Sequence, residues 1–299
     1  MREDGWQIGR ARITPVYETD AGTVIQAGIA EARPERVAGI DWLAPAFADE
    51  SGRLLAVVQS FVIRLDGATV LVDTCVGNHK PRPGLPAWSS LATDFPQRLS
   101  AAGVRPAEVD AVVCTHLHFD HVGWNTVPDG SGGWVPLFSR ARHLVCRTEF
   151  EYWVSDAAQT REDADDLAGV SDSVLPVREA GLLDLVDASH EIRPGIRLVP
   201  TAGHTPGHVS VLVESAGSRA LISGDALHHP CQIARPDWGI FSDFDPAQAR
   251  RTRTALLAMC ADTDTLLLGT HFPPPAAVRV RREGDGFTAA GVAAGAAAR

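Results

Sequence analysis

Three histidines and one aspartate crowd into six residues of this chain: His116, His118, Asp120 and His121, in the run CTHLHFDHVGWN that begins beside Thr115. Imidazoles and a carboxylate packed this closely are costly to bury unless a cation holds them together. The apolar stretch Val109-Asp110-Ala111-Val112-Val113-Cys114 just upstream reads as a buried strand. His116 and His118 alternate, so an extended segment would point both the same way. Asp120 and His121 then come from the turn that leaves it. A metal pair is the chemistry this arrangement suits, and it needs further ligands.

Candidates stand downstream, each after an apolar run. His204 lies in PTAGHTPGH behind Ile196-Arg197-Leu198-Val199, Asp225 in ALISGDALHH and His271 in TLLLGTHFP. A turn after each strand would carry the side chain to one rim of a sheet. Zinc accepts imidazole nitrogen and carboxylate oxygen, and a catalytic site keeps one position open for water. Seven such ligands suit two metals that share a bridging carboxylate, with no cysteine required. A lone histidine at a strand end is more often capped or solvated, and His79, His143, His190 and His229 are read that way.

HxHxDH, the later GHTPGH, a strand ending in GD and a late strand ending in THF together resemble the metallo-β-lactamase fold hydrolases. The resemblance runs from about Ile13 to Phe287, with the motifs in the family's order. GDALHHPCQIARPDW and GTHFPPPAAVRVRREGDGF look most like its lactonase and methyl parathion (organophosphate) hydrolase branch. The resemblance implies an α/β fold, an αβ/βα four-layer sandwich of two mixed sheets flanked by helices. It implies that His116, His118 and His204 hold one divalent ion and Asp120, His121 and His271 a second, with Asp225 bridging and zinc as the metal. Within GHTPGH it makes His204 the ligand and gives His208 a supporting role. Asp120 would accept a proton from a bridging hydroxide and pass it to the leaving group. His228, three residues after Asp225, would hydrogen-bond the substrate carbonyl. Asp73, at the end of LVDTC, would brace a ligand histidine, although a plain strand-ending turn explains it equally well.

The function this implies is a dinuclear hydrolase of a small-molecule ester, a lactone or aryl ester first. Phosphotriesterase and thioesterase activities are the close alternatives. A mononuclear iron sulfur dioxygenase, using His116, His204 and Asp225, is the alternative from another class. A β-lactamase ranks lower because no cysteine joins the ligand set.

Around these residues the chain alternates short strands with longer helices. Ile8–Tyr17, Leu54–Leu65 and Ala68–Val72 read as strands, the last two joined through Asp66-Gly67 as a hairpin. Trp88–Ala102 reads as a helix stopped at Gly103, and Pro246–Met259 as another. Thr148–Leu167 carries many acids and reads as a wet helical face over the site or against a partner. Trp42, Trp124, Trp134 and Trp238, in loop-like contexts, are candidate pocket walls, whereas Trp88 and Trp153 are read as core. His79, Lys80 and Arg82 are read as a solvated loop.

With 299 residues and no linker or repeat, the chain is expected to form one domain over 1–290, with an Ala/Gly-rich disordered tail over 291–299. A formal charge of −10 argues against a nucleic-acid groove, and hence against an RNA-processing relative. No apolar run approaches the ~18 residues of a membrane helix, and the N-terminus lacks a signal-peptide core. Five cysteines without CxxC spacing suit reduced thiols and a cytoplasmic location, Cys75 and Cys114 serving as packing residues. Base rates for oligomers favour a homodimer.

Overall fold

The computed structural model describes residues 5–261 and 263–295. Contacts divide it into two compact units, and the first holds residues 13–19 and 58–188. Its sheet sets Ala11–Asp20, Val57–Leu65, Ala68–Val72, Ala111–Cys114, Arg142–Cys146 and Leu183–Val186 side by side in that order. Val57–Leu65 and Ala68–Val72 form the expected hairpin. Its two turn residues, Asp66 and Gly67, both take positive φ (49° and 81°), the twist that a two-residue hairpin turn demands. From Ala68–Val72 onward the strands run parallel. Val70, Leu71, Val72, Val112 and Val113 are all buried, which is why these strands read as unbroken apolar runs. Parallel strands release their chains at one edge, and Asp73 and Thr115 both emerge there.

Of the described residues, the second unit holds 5–12, 20–57, 189–261 and 263–295. Its sheet runs in the order Glu191–Arg193, Ile196–Pro200, Val209–Ser215, Ser218–Ile222, Leu266–Leu268, Ala277–Glu283 and Gly286–Gly291. Ser218–Ile222 and Leu266–Leu268 are parallel, with Ile222 opposite Leu268. Asp225 and His271 each follow three residues beyond that pair, so both leave at the same edge. Ile196–Pro200 runs in the same direction, two antiparallel steps away, and delivers His204 there too.

Several elements differ from expectation. The first strand forms as Ala11–Asp20, after a Gly9 turn that follows Trp6–Ile8. The helix read from Trp88 begins only at Phe95, because Ser90 takes φ 52° and Pro96 can sit only in a first turn. Thr148–Leu167 is three short helices, Arg147–Trp153, Asp156–Arg161 and Ala164–Gly169. The side chains of Ser155 and Asp163 cap the second and third by accepting from Ala158 and Asp165 N–H. The tail expected from Gly291 is partly ordered: Gly291 ends a strand, Val292 N–H donates to the Ala277 carbonyl and Gly295 N–H to that of Gly5. Residues 296–299 lie outside the described residues.

Candidate metal centre

Within the first unit the Asp73 carboxylate anchors the start of the His-rich loop. Asp73, itself at φ 56°, accepts the Thr115 N–H and the Thr115 hydroxyl, both at 2.8 Å, and His121 Nδ1–H at 2.9 Å. The Thr115 hydroxyl donates to Asp73, so its lone pair faces His116 Nδ1 at 3.1 Å. Both rings therefore carry their proton on Nδ1 and present Nε2 as a donor to a metal. His116 Nε2 lies 3.1 Å from His118 Nδ1, and His121 Nε2 lies 3.7 Å from Asp120 Oδ2. Two imidazole lone pairs aimed at one point repel unless a cation or proton lies between them. His116, His118, Asp120 and His121 are all buried, with Asp120 the most open at 9%.

The segment after Asp73 is laced to the segment after His121. Gly123 N–H donates to the Cys75 carbonyl and Trp124 N–H to that of Thr74. A Cβ on Gly123 would sit 1.8 Å from the Val76 oxygen, so only glycine fits there.

Within the second unit three imidazoles converge on Asp225. Their Nε2 atoms reach its carboxylate at 3.5 Å (His204), 3.1 Å (His228) and 3.3 Å (His271). Again the far nitrogens are tied: His204 Nδ1 to Asp243 at 3.0 Å, and His271 Nδ1–H to the Val57 carbonyl at 2.9 Å. Burial acts to raise the Asp243 carboxyl, but His204 and the Arg253 charge outweigh it and hold it at about 2. His208 Nε2 accepts the Asp225 N–H at 2.9 Å, so its proton is on Nδ1, which donates to Thr201 Oγ1 at 2.8 Å. His208 is thus a support for Asp225, as expected. Gln232 accepts the His228 N–H at 2.7 Å and fixes the start of that turn.

The supporting residues Asp243 and Gln232 went unread in the sequence, and Arg253 was read only as a basic residue of its helix. Their signal is weak, because a single acid or amide in a loop looks the same buried or wet.

Other expectations are corrected. Trp124 and Trp238 are buried, at 4% and 1% exposure, and so are core. Trp124 donates to Glu18 and stacks on Phe95, while Arg36 lies over Trp238. Trp134 lies against the Lys80 ammonium, 3.6 Å from its ring centroid, and Trp42 packs edge-on to Phe47. Lys80 and Arg82 are fully buried and both pair with Asp172, so they form no solvated lip. Burial also pushes His143 and His229 down to about 4, which keeps both neutral inside the fold and not solvated. Glu149 and Asp165 are buried, which breaks the reading of their segment as a wet face.

A family model described as the metallo-beta-lactamase superfamily matches residues 55–271, a span that includes all seven candidate ligands. The chain belongs to the metallo-beta-lactamase superfamily. Among curated relatives, an N-acyl homoserine lactonase of Bacillus cereus is 32% identical over 183 residues, 57% of this chain and 64% of that protein. One of Bacillus thuringiensis is 30% identical over 152 residues, 50% of this chain. The matched stretch thus spans 64% and 51% of these two relatives. Among solved structures, hydrolase AbOPH of the beta lactamase superfamily aligns over 97% of both chains with a TM-score of 0.78 at 24% identity. AidC, a dizinc quorum-quenching lactonase in complex with a product, aligns over 98% of this chain and 99% of its own at a TM-score of 0.76 and 16% identity. These likenesses agree with the two mixed sheets described above and show the superfamily's α/β fold.

Proposed function

We propose that the chain is a dinuclear metal-dependent hydrolase that opens lactone rings, with N-acyl homoserine lactones as the first substrate class to try. The observation that carries the reading is the way the ligand histidines are held. Asp73, Thr115, Asp243 and the Val57 carbonyl each tie the Nδ1 of His121, His116, His204 and His271, leaving Nε2 as donor. Nitrogen and oxygen donors in these numbers fit a divalent ion such as zinc. His116, His118 and His204 would hold one ion, Asp120, His121 and His271 the other, and Asp225 both. Bound ions would supply Lewis acidity and a water whose pKa is lowered to about 7.

The chain's own groups do the rest. Asp120, the most open of the loop's four candidate ligands, takes the proton that the attacking water gives up as its oxygen bonds the carbonyl carbon, and returns it to the alkoxide released when the ring C–O bond breaks. His228, its backbone pinned by Gln232, donates to the substrate carbonyl oxygen. Residues 1–290 are taken as one catalytic domain, since the family match runs through residues of both units. Five buried, unpaired cysteines support a reducing compartment such as the cytoplasm. No helix among the described residues is long and apolar enough to cross a membrane.

The test is turnover on a panel of N-acyl homoserine lactones, simple lactones, aryl esters, a phosphotriester and a thioester. Lactones giving the highest kcat/KM supports the reading. Preference for the phosphotriester or thioester would overturn the substrate assignment, and no hydrolysis of any would overturn the class.

A further inference from the structure

The acidic segment from Arg147 to Gly169 grips the His-rich loop. Three carboxylates take alternate backbone N–H groups of that loop: Asp73 from Thr115 at 2.8 Å, Glu149 from Leu117 at 3.1 Å and Asp166 from Phe119 at 3.1 Å. Each anchored residue directly precedes a candidate ligand, His116, His118 or Asp120. Backbone donors inside a protein must find acceptors, and a neutral amide or carbonyl would serve as well. Charged acceptors beside Asp120 repel it, unless the loop is built around a cation.

The same two acids also bracket His118. Trp153 Nε1–H donates to Glu149 at 2.7 Å, and the Trp153 ring stands edge-on to the His118 ring, 5.5 Å between centroids. Asp166 Oδ2 lies 4.0 Å from His118 Nε2, while His118 Nδ1 is the atom turned toward His116. The ring is thus oriented opposite to His116 and His121, which turn Nε2 inward. At 4.0 Å the Asp166 carboxylate acts on this ring as a nearby charge and not as a hydrogen-bond partner.

We propose that Glu149 and Asp166 are positioning residues for the metal, holding Leu117 and Phe119 so that the candidate ligands that follow them, His118 and Asp120, face the ion. The inference rests on the metal-dependent reading above and adds two residues to it. The test is zinc affinity, by competition between metal-stripped protein and a chromophoric chelator, for wild type, Glu149→Gln, Asp166→Asn and the exposed control Glu151→Gln. Zinc should bind about 10- to 100-fold more weakly to Glu149→Gln and Asp166→Asn, and unchanged to Glu151→Gln. The metal-stripped variants should melt near the wild type, because the neutral Gln and Asn still accept the same N–H groups, only more weakly than a carboxylate that also favours a nearby cation. Unchanged affinity, or a lowered melting point with unchanged affinity, would overturn the positioning role and leave the hydrolase reading standing. A wild type that takes up no zinc would overturn both.

Discussion

Asp120 and Glu18 are both buried acids, yet they answer to different tests. Asp120→Asn keeps an oxygen donor but removes the base, so turnover should fall about 10²- to 10⁴-fold while zinc is partly retained. Steady-state kinetics paired with elemental analysis checks this, and unchanged turnover would remove Asp120 from proton transfer. Glu18 touches no candidate ligand. It accepts from Val76 and Gly77 N–H at 2.7 and 3.2 Å, from Thr93 and from Trp124. Burial pushes its carboxyl up from 4.5 to about 7, against the opposing pull of those hydrogen bonds. Between these values the folded chain binds a proton that the unfolded chain has released. Its contribution to stability is therefore full below about 4.5 and is lost as pH rises through about 7. Denaturation at a series of pH values should show this decline in the wild type and its absence in Glu18→Gln. Equal slopes in the two proteins would show that Glu18 is not the group responsible. At this scale the sequence showed the candidate ligands, which sit in dense or repeated motifs, and offered Asp73 as a brace for one of them. It hid Glu18, Glu149, Asp166 and Asp243, because solitary acids carry no mark of burial.

At the scale of elements, the strands that carry the ligands were legible and most helix bounds were not. Val112, Val113, Leu221, Ile222, Leu267 and Leu268 are buried in unbroken apolar runs, and such runs declare themselves. The helix at Phe95–Ala101 was read as beginning seven residues too early, since a positive φ at Ser90 leaves no pattern in hydrophobicity. Thr148–Leu167 reads as one helical segment because its acids give no sign that Ser155 and Asp163 start new helices. The lacing between residues 73–77 and 121–124 rests on Gly123, whose Cβ position is filled by the Val76 carbonyl. Gly123→Ala should therefore shift the loop that carries Asp120 and His121. We expect a loss of about 1–3 kcal/mol in denaturant unfolding and weaker metal binding. A variant as stable as the wild type would mean that the segment yields easily and that the contact does not hold the loop.

For the whole molecule, the order of four motifs along the chain made the fold legible, where no single strand or helix could have done so. The family match covers residues 55–271, and the likeness to AbOPH covers 97% of both chains. What could not be read was how each ligand is oriented, because that depends on residues distant in sequence, such as Val57 for His271 and Asp243 for His204. These supports are a commitment of the fold to holding metal, and metal content tests that commitment most directly. Protein purified without added metal or chelator should contain about two zinc or similar divalent ions per chain by elemental analysis. A single iron per chain, or no metal at all, would contradict the account.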